Sequence, residues 1–364
     1  MNPSTSGRAL RLLTALAAIA STPVFCGAEL NAMPSGLTPV FNGVLGGKKD
    51  WPGVVELKFD DGLCSGALVG PDTVLTAAHC LSDLDPAHLH VEVVVPGKGT
   101  FPADQVLFDH RYDDRRTDQI NKDLKALPRW SEMTAAQKET ARALVREEET
   151  LWRHDLGLVR VGPPAHFDDH LRIARASDAL VGLPVAIVGY GDNSFAKREG
   201  AGKRRSGGNR IQAAWEGLLF TAGWVQDQGN VSEPGGRTRK IADGKDVAIG
   251  EGDSGGPVIG PGGVVGVNSA SLEAPEPEVL REILGEQADA LYRASLRKDM
   301  EWDQFVSLSD SETISFLNSA QDQGYHVSWA DGESPSRAND VQPLAGADFK
   351  SQTLEGLSRS GFRP

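Results

Sequence analysis

The residues best suited to covalent chemistry in this 364-residue chain are a glycine-flanked serine, a histidine and an aspartate. Ser254 sits in Gly252-Asp253-Ser254-Gly255-Gly256-Pro257, just before the apolar pair Val258-Ile259. A serine hydroxyl is nearly inert at neutral pH because its proton must leave as it attacks. It needs a base within hydrogen-bond reach, and a third group that fixes the tautomer of the base. His79, in Leu75-Thr76-Ala77-Ala78-His79-Cys80, is the candidate base, and Asp155, in His154-Asp155-Leu156, is the candidate orienting carboxylate. Glycines beside the serine let backbone N–H groups converge on one spot, where they can stabilise the oxygen anion of a tetrahedral intermediate.

Such groups must be held by a rigid frame, and the frame reads as mostly β. Val54–Phe59, Leu89–Val95, Leu156–Val161, Val185–Val188, Val258–Ile259 and Val264–Val267 are short runs rich in Val, Leu and Ile. Gly, Pro, Asn or Asp bound them, the spacing of an antiparallel sandwich or barrel. Two stretches break this rhythm. Asp113–Thr150 is highly charged and contains Thr134-Ala135-Ala136-Gln137, a capping box that predicts a helix running to about Trp152. Pro277–Trp302 carries apolar residues at roughly helical spacing, and Asp310–Ala320 is a third predicted helix. Beyond Gly324 the chain is polar and lacks sustained periodicity.

Composition excludes whole classes of function. The formal net charge is −13, and no long Lys/Arg run is present, so nucleic acid is not expected as a partner. Arg8 and Arg11 precede an apolar stretch, Leu12–Ala20, followed by small residues. Residues 1–28 therefore read as a secretory signal, with cleavage near residue 20 or 28, and the chain is expected to be secreted or periplasmic. The apolar run is too short for a stable membrane span. With Cys26 removed in that segment, Cys64 and Cys80 remain, and in an exported protein such a pair is most simply one disulfide. His166-Phe167-Asp168-Asp169-His170 offers metal-ligating side chains but reads as a charged surface loop; no metal and no cofactor are expected.

The order His, Asp, Ser and the motifs around His79 and Ser254 resemble the trypsin/chymotrypsin-like serine proteases. The stretch from Lys203 to Asn209, after Gly189-Tyr190-Gly191, is similar to the secreted bacterial branch. The resemblance runs from about Val44 to Ala320. It implies an all-β fold of two six-stranded antiparallel β-barrels, with helical insertions and a C-terminal helix. The peptidase domain would span 44–323, with insertions at about 113–150 and 272–303, a possible short propeptide at 29–43 and a polar tail at 324–364. Ser254 would be the nucleophile, His79 the base and then acid, Asp155 the residue that orients it, and the N–H groups of Gly252 and Ser254 the oxyanion hole. Val44 would form an activation pair with Asp253, although Gly43 precedes the expected cut where Arg or Lys is usual.

The resemblance also locates a specificity pocket. Six residues before the serine, where trypsins carry an acidic residue, stands Ala248, followed by Ile249; Ser269 and Ser271 fall on the expected wall. An apolar floor favours small or apolar P1 side chains, because a buried cation there would lack a partner. The expected function is an exported serine endopeptidase acting on protein or peptide substrates through an acyl-enzyme. The competing expectation is a binding or adhesion protein that keeps the protease fold with little or no activity. The sequence says nothing of oligomeric state.

Overall fold

A computed structural model describes residues 40–330, except 42, 48–49, 86–87, 164, 175–179, 193–199, 225–229, 233–237, 241–244 and 273–299. Six strands close into a barrel in the order β2 (Val54–Phe59), β3 (Gly62–Leu68), β4 (Thr73–Thr76), β7 (Gly157–Val161), β6 (Gly99–Phe108) and β5 (Glu92–Val95). A second antiparallel sheet holds eight strands. Its order is β1 (Val44–Leu45), β9 (Arg205–Arg210), β8 (Pro184–Gly189), β14 (Pro257–Gly260), β15 (Gly263–Leu272), β16 (Met300–Ser307), β11 (Leu218–Trp224) and β10 (Ala213–Trp215). The short strands β12 (Asn230–Ser232) and β13 (Thr238–Lys240) pair only with each other among the described residues. The expected all-β architecture with helical additions is thus present, with one closed barrel and an eight-stranded second sheet where the resemblance implied six.

The β-branched runs explain the packing. Val55, Leu57, Val74, Val93, Val95 and Val159 fill the barrel interior, while Val185, Ile187, Val258 and Phe305 fill the second sheet's core. A third cluster joins Leu75 and Leu158 to Val267, Val306 and Leu317, so the barrel and the sheet share apolar surface.

Between β6 and β7 the chain leaves the barrel to form α1 (Asp114–Lys125) and α2 (Ala135–Trp152). The predicted capping box is present: the Thr134 hydroxyl accepts from Gln137 N–H, and the Gln137 side chain accepts from Thr134 N–H. Trp130, Ala141 and Val145 give the pair of helices its own small core. The helix α3 (Ser311–Asp322) is capped by Asp310, whose carboxylate accepts from the Glu312 and Thr313 N–H groups. Within Pro277–Trp302, residues 277–299 lie outside the described residues. The end of that stretch is corrected: Met300–Trp302 belong to β16, and Trp302 is buried against the sheet rather than ending a helix.

Packing also continues past Gly324. The His326 N–H donates to Thr73 Oγ1 and the Ser328 N–H to the Val69 carbonyl, while Tyr325, Val327 and Trp329 are buried. Residues 331–364 of the expected tail lie outside the described residues.

Candidate active site

His79, Asp155 and Ser254 each stand just outside a strand end, after β4, before β7 and before β14 respectively. Positions of this kind lie on loops held by rigid elements. Pairing of β4 with β7 sets Thr76 opposite Gly157, which brings the flanking His79 and Asp155 together. Asp155 Oδ1 accepts the His79 backbone N–H at 2.8 Å, and Oδ2 lies 2.8 Å from His79 Nδ1. The Asp155 side chain is fully buried and also accepts the Ser269 hydroxyl at 2.6 Å. An acceptor-only carboxylate at this distance calls for a proton on Nδ1 and leaves Nε2 as the basic nitrogen. Burial works to lower the His79 pKa. The charge and hydrogen bond of Asp155, helped by Asp114, outweigh it and raise the pKa above the ordinary value.

The turn bearing Ser254 is built from glycines for steric reasons. Gly252 and Gly255 have φ of +92° and +79°, and a Cβ on Gly255 would fall 2.0 Å from Thr76 Oγ1. Only glycine adopts such a conformation without strain. Ser65, on β3, ties this turn to the barrel: its hydroxyl donates to the Gly252 carbonyl and accepts from Tyr190 N–H, both at 2.8 Å. Its own N–H donates to the Ser254 carbonyl at 2.8 Å. The Cys64–Cys80 disulfide ties the loop after His79 to β3, with Cys80 Sγ 4.0 Å from that same carbonyl oxygen. The sequence reading missed Ser65; the signal available was a small hydroxyl residue inside an otherwise apolar, inward-facing strand.

Asp253 is fully buried, and its carboxylate accepts the N–H groups of Gly191 and Gly250 at 2.8 Å each. Burial pushes its pKa up to about 7, against the pull of these two N–H groups and of Arg205. Close approach explains the Gly189-Tyr190-Gly191 stretch, since a Cβ on Gly189 would fall 2.1 Å from Asp253 Oδ1. Val44 lies in β1 opposite Ser206, so in this uncut chain it is not paired with Asp253. The residues just before it are docked. Val40 is fully buried with φ of +55°, and the Phe41 carbonyl accepts the Ala248 N–H at 3.3 Å.

The first insertion reaches the site. Trp152, the last residue of α2, sets its ring edge-on to His79 with centroids 6.3 Å apart, and Tyr112 lies 5.7 Å from Trp152. Behind them His154 lies between Asp109, at 3.2 Å, and Glu312 of α3, at 3.5 Å; Arg111 and Arg153 also bond Glu312. Asp109 is buried, yet hydrogen bonds from His154 and Arg111 overcome the burial and hold its carboxyl far below the usual range.

Ala248 and Ile249 are buried, and Ser271 stands exposed on β15. The Ser269 hydroxyl is spent on Asp155. A residue the sequence reading did not single out joins these: Asp303 on β16, fully buried, whose Oδ1 accepts the Ile249 N–H at 3.2 Å. His166 and His170 do not converge. His166 is exposed beside Asp168, and His170 bonds the Phe167 carbonyl and the Ser328 hydroxyl.

A mouse brain serine protease, neuropsin, matches with 16% identity over 77% of this chain and 98% of its own, at a TM-score of 0.44. A Glu endopeptidase matches with 12% identity over 77% of this chain and 96% of its own, at 0.45. An inactivated protease paralogue of the scabies mite matches with 14% identity over 79% of this chain and 99% of its own, at 0.48. The model of the trypsin-like peptidase domain matches residues 64–267, more than half of the sequence and the whole stretch from the first disulfide cysteine past Ser254. With that match lying over the loops that join His79 to Asp155 and anchor Ser254, the chain belongs to the trypsin-like peptidase family.

Proposed function

We propose that the protein is an exported serine endopeptidase that cleaves protein or peptide substrates through an acyl-enzyme. The observation that carries this reading is the Asp155 carboxylate, buried and bonded twice to His79, beside the serine turn. Ser254 Oγ attacks the scissile carbonyl as His79 Nε2 takes its proton. The resulting imidazolium is stabilised by Asp155, and the same proton is then given to the leaving amine. The Gly252 and Ser254 N–H groups serve the oxyanion; among the described residues no acceptor takes either N–H. Water then attacks the acyl-enzyme with His79 again as base, which releases the second product and restores the serine.

Export is supported by the basic and apolar character of residues 8–20 and by the disulfide; no described helix is long and apolar enough to cross a membrane. Zymogen behaviour is supported by the docked Val40 and Phe41. A cut before Val44 frees an amino group for Asp253 and also withdraws Phe41 from Ala248, so one event acts on both the serine turn and the pocket floor. Labelling with a fluorophosphonate tests the assignment. The active form incorporates one label at Ser254, and Ser254→Ala and His79→Ala abolish turnover. An unlabelled Ser254 in folded, processed protein favours a binding module instead. N-terminal sequencing of active protein tests the activation step: a start upstream of Val44 at full activity refutes it.

A further inference from the structure

His79 and Ser269 hold Asp155 at its carboxylate, and its main chain is held as closely from the other side. The Leu156 N–H donates to the His154 carbonyl at 2.7 Å, the bond pattern of a γ-turn with Asp155 at its centre. Asp109 brackets this turn. Its N–H donates to the Leu156 carbonyl at 2.9 Å, and its Oδ2 lies 3.2 Å from His154 Nδ1. Arg111 fixes that carboxylate in turn, with Nε 2.9 Å from Oδ1 and Nη2 2.6 Å from Oδ2. The other ring nitrogen of His154 faces Glu312, in the first turn of α3, at 3.5 Å. Glu312 also accepts from Arg153 and Arg111. One carboxylate thus gathers the two residues before Asp155 and the arginine that anchors Asp109. Helix α3 is a firm base for this grip, because Ile314, Leu317 and Ala320 share a core with Leu156 and Leu158.

We propose that Glu312 is a positioning residue for the triad: through Arg153 and His154 it sets the turn that aims Asp155 at His79. This rests on the endopeptidase reading of the same site and deepens it, since helix α3 becomes part of what orients the catalytic groups. The aspartate has a short side chain, and both peptide groups flanking it are hydrogen-bonded, the Asp155 N–H to the Trp152 carbonyl at 3.0 Å. A rotation of the turn therefore swings Oδ2 against His79 Nδ1. Misplacement by about 1 Å costs about 10²-fold in rate. Arg153 Nε is buried with no acceptor among the described residues, so losing Glu312 leaves this cation poorly paired and pulls on the turn. The exposed pair of Arg116 with Glu147 joins α1 to α2 and supplies a control of equal charge.

Kinetics of Glu312→Gln in two backgrounds test the assignment, with rates taken on the alkaline plateau and folding checked by circular dichroism. With Asp155 present, kcat should fall about 10- to 100-fold while KM changes little. In Asp155→Asn the same substitution should change kcat by no more than about 2-fold, because the group it aims is gone. Equal losses in both backgrounds would mark general support of the fold and overturn the proposal, as would an unchanged kcat. A comparable loss in Glu147→Gln would trace the effect to charge alone and overturn it too. Arg153→Gln opens the same contact from the loop side and should behave as Glu312→Gln does, which covers poor folding of either variant. Proton NMR in the Ser254→Ala protein reads the geometry without turnover. The His79 Nδ1–H shared with Asp155 should resonate far downfield, and Glu312→Gln should move or broaden it in an otherwise native spectrum. An unmoved resonance overturns the proposal. A moved resonance, in a protein whose unaltered form leaves Ser254 unlabelled, would sink the endopeptidase reading while leaving the hold of Glu312 on Asp155 standing.

Discussion

Replacing Ser65 by alanine removes one oxygen that serves two buried backbone groups. The Gly252 carbonyl loses its donor and the Tyr190 N–H loses its acceptor, each at 2.8 Å, in a place where Ser65 is fully buried. A buried group left unsatisfied costs about 1–3 kcal/mol, so the pair costs about 2–6 kcal/mol. For a domain of this size each kcal/mol corresponds to about 2–4 °C, which sets a fall in melting temperature of at least about 4 °C. Calorimetry in a Ser254→Ala background avoids self-digestion and isolates the structural term. Thr140→Ala, which removes a hydroxyl from the exposed face of α2, serves as control and stays within about 0.5 kcal/mol. A Ser65→Ala protein within about 0.5 kcal/mol of its parent would show that the serine turn does not depend on this anchor. In the catalytically intact background the same change lowers kcat, because the displaced Gly252 carbonyl carries the neighbouring peptide groups with it.

Because Asp155 raises the His79 pKa, kcat/KM should rise with pH through a midpoint above 6.5; Asp155→Asn should move that midpoint down and lower kcat by about 10⁴-fold, measured as a pH–rate profile. Asp253 is an acid whose folded pKa, about 7, lies above its ordinary 3.8, so the unfolded chain ionises first and stability drains away as pH rises between those values. Asp253→Asn escapes this, and urea melts should show its stability relative to the parent improving from about pH 4 to pH 7. Mass spectrometry of unreduced protein should find no free thiol among Cys64 and Cys80, and reduction should cost about 3 kcal/mol in urea melts.

The parts of the fold legible in the sequence were those with local signals. β2 was predicted at its observed bounds because Val54-Val55-Glu56-Leu57-Lys58-Phe59 is β-branched and apolar, and α2 announced itself through Thr134 and Gln137. β9 had no such signal: Arg205-Ser206-Gly207-Gly208-Asn209-Arg210 carries no large apolar side chain. It forms because Gly207 admits the Val247 side chain, where a Cβ would fall 2.1 Å from Cγ1. The chemistry divides along the same line. His79, Asp155 and Ser254 lie in stretches of distinctive composition, so their types and order were readable. Ser65 acts through strand pairing that joins distant segments, and such placement leaves no trace in local spacing.

The segment from Tyr325 to Ala330 has a consequence for how the molecule is made. All six barrel strands have been synthesised once Val161 emerges, yet the edge from Val69 to Thr73 also takes bonds from the His326 and Ser328 N–H groups, which come much later in the chain. The fit is close, since a Cβ on Gly70 would fall 1.9 Å from the His326 carbonyl oxygen. A chain that emerges N-terminus first therefore carries a barrel with this edge uncovered through about half of its synthesis, and contacts spanning some 250 residues close last. Maturation is thereby tied to completion of the polypeptide, and a nascent fragment ending before Tyr325 leaves the apolar faces of Val69 and Leu317 uncovered for quality-control proteases to read.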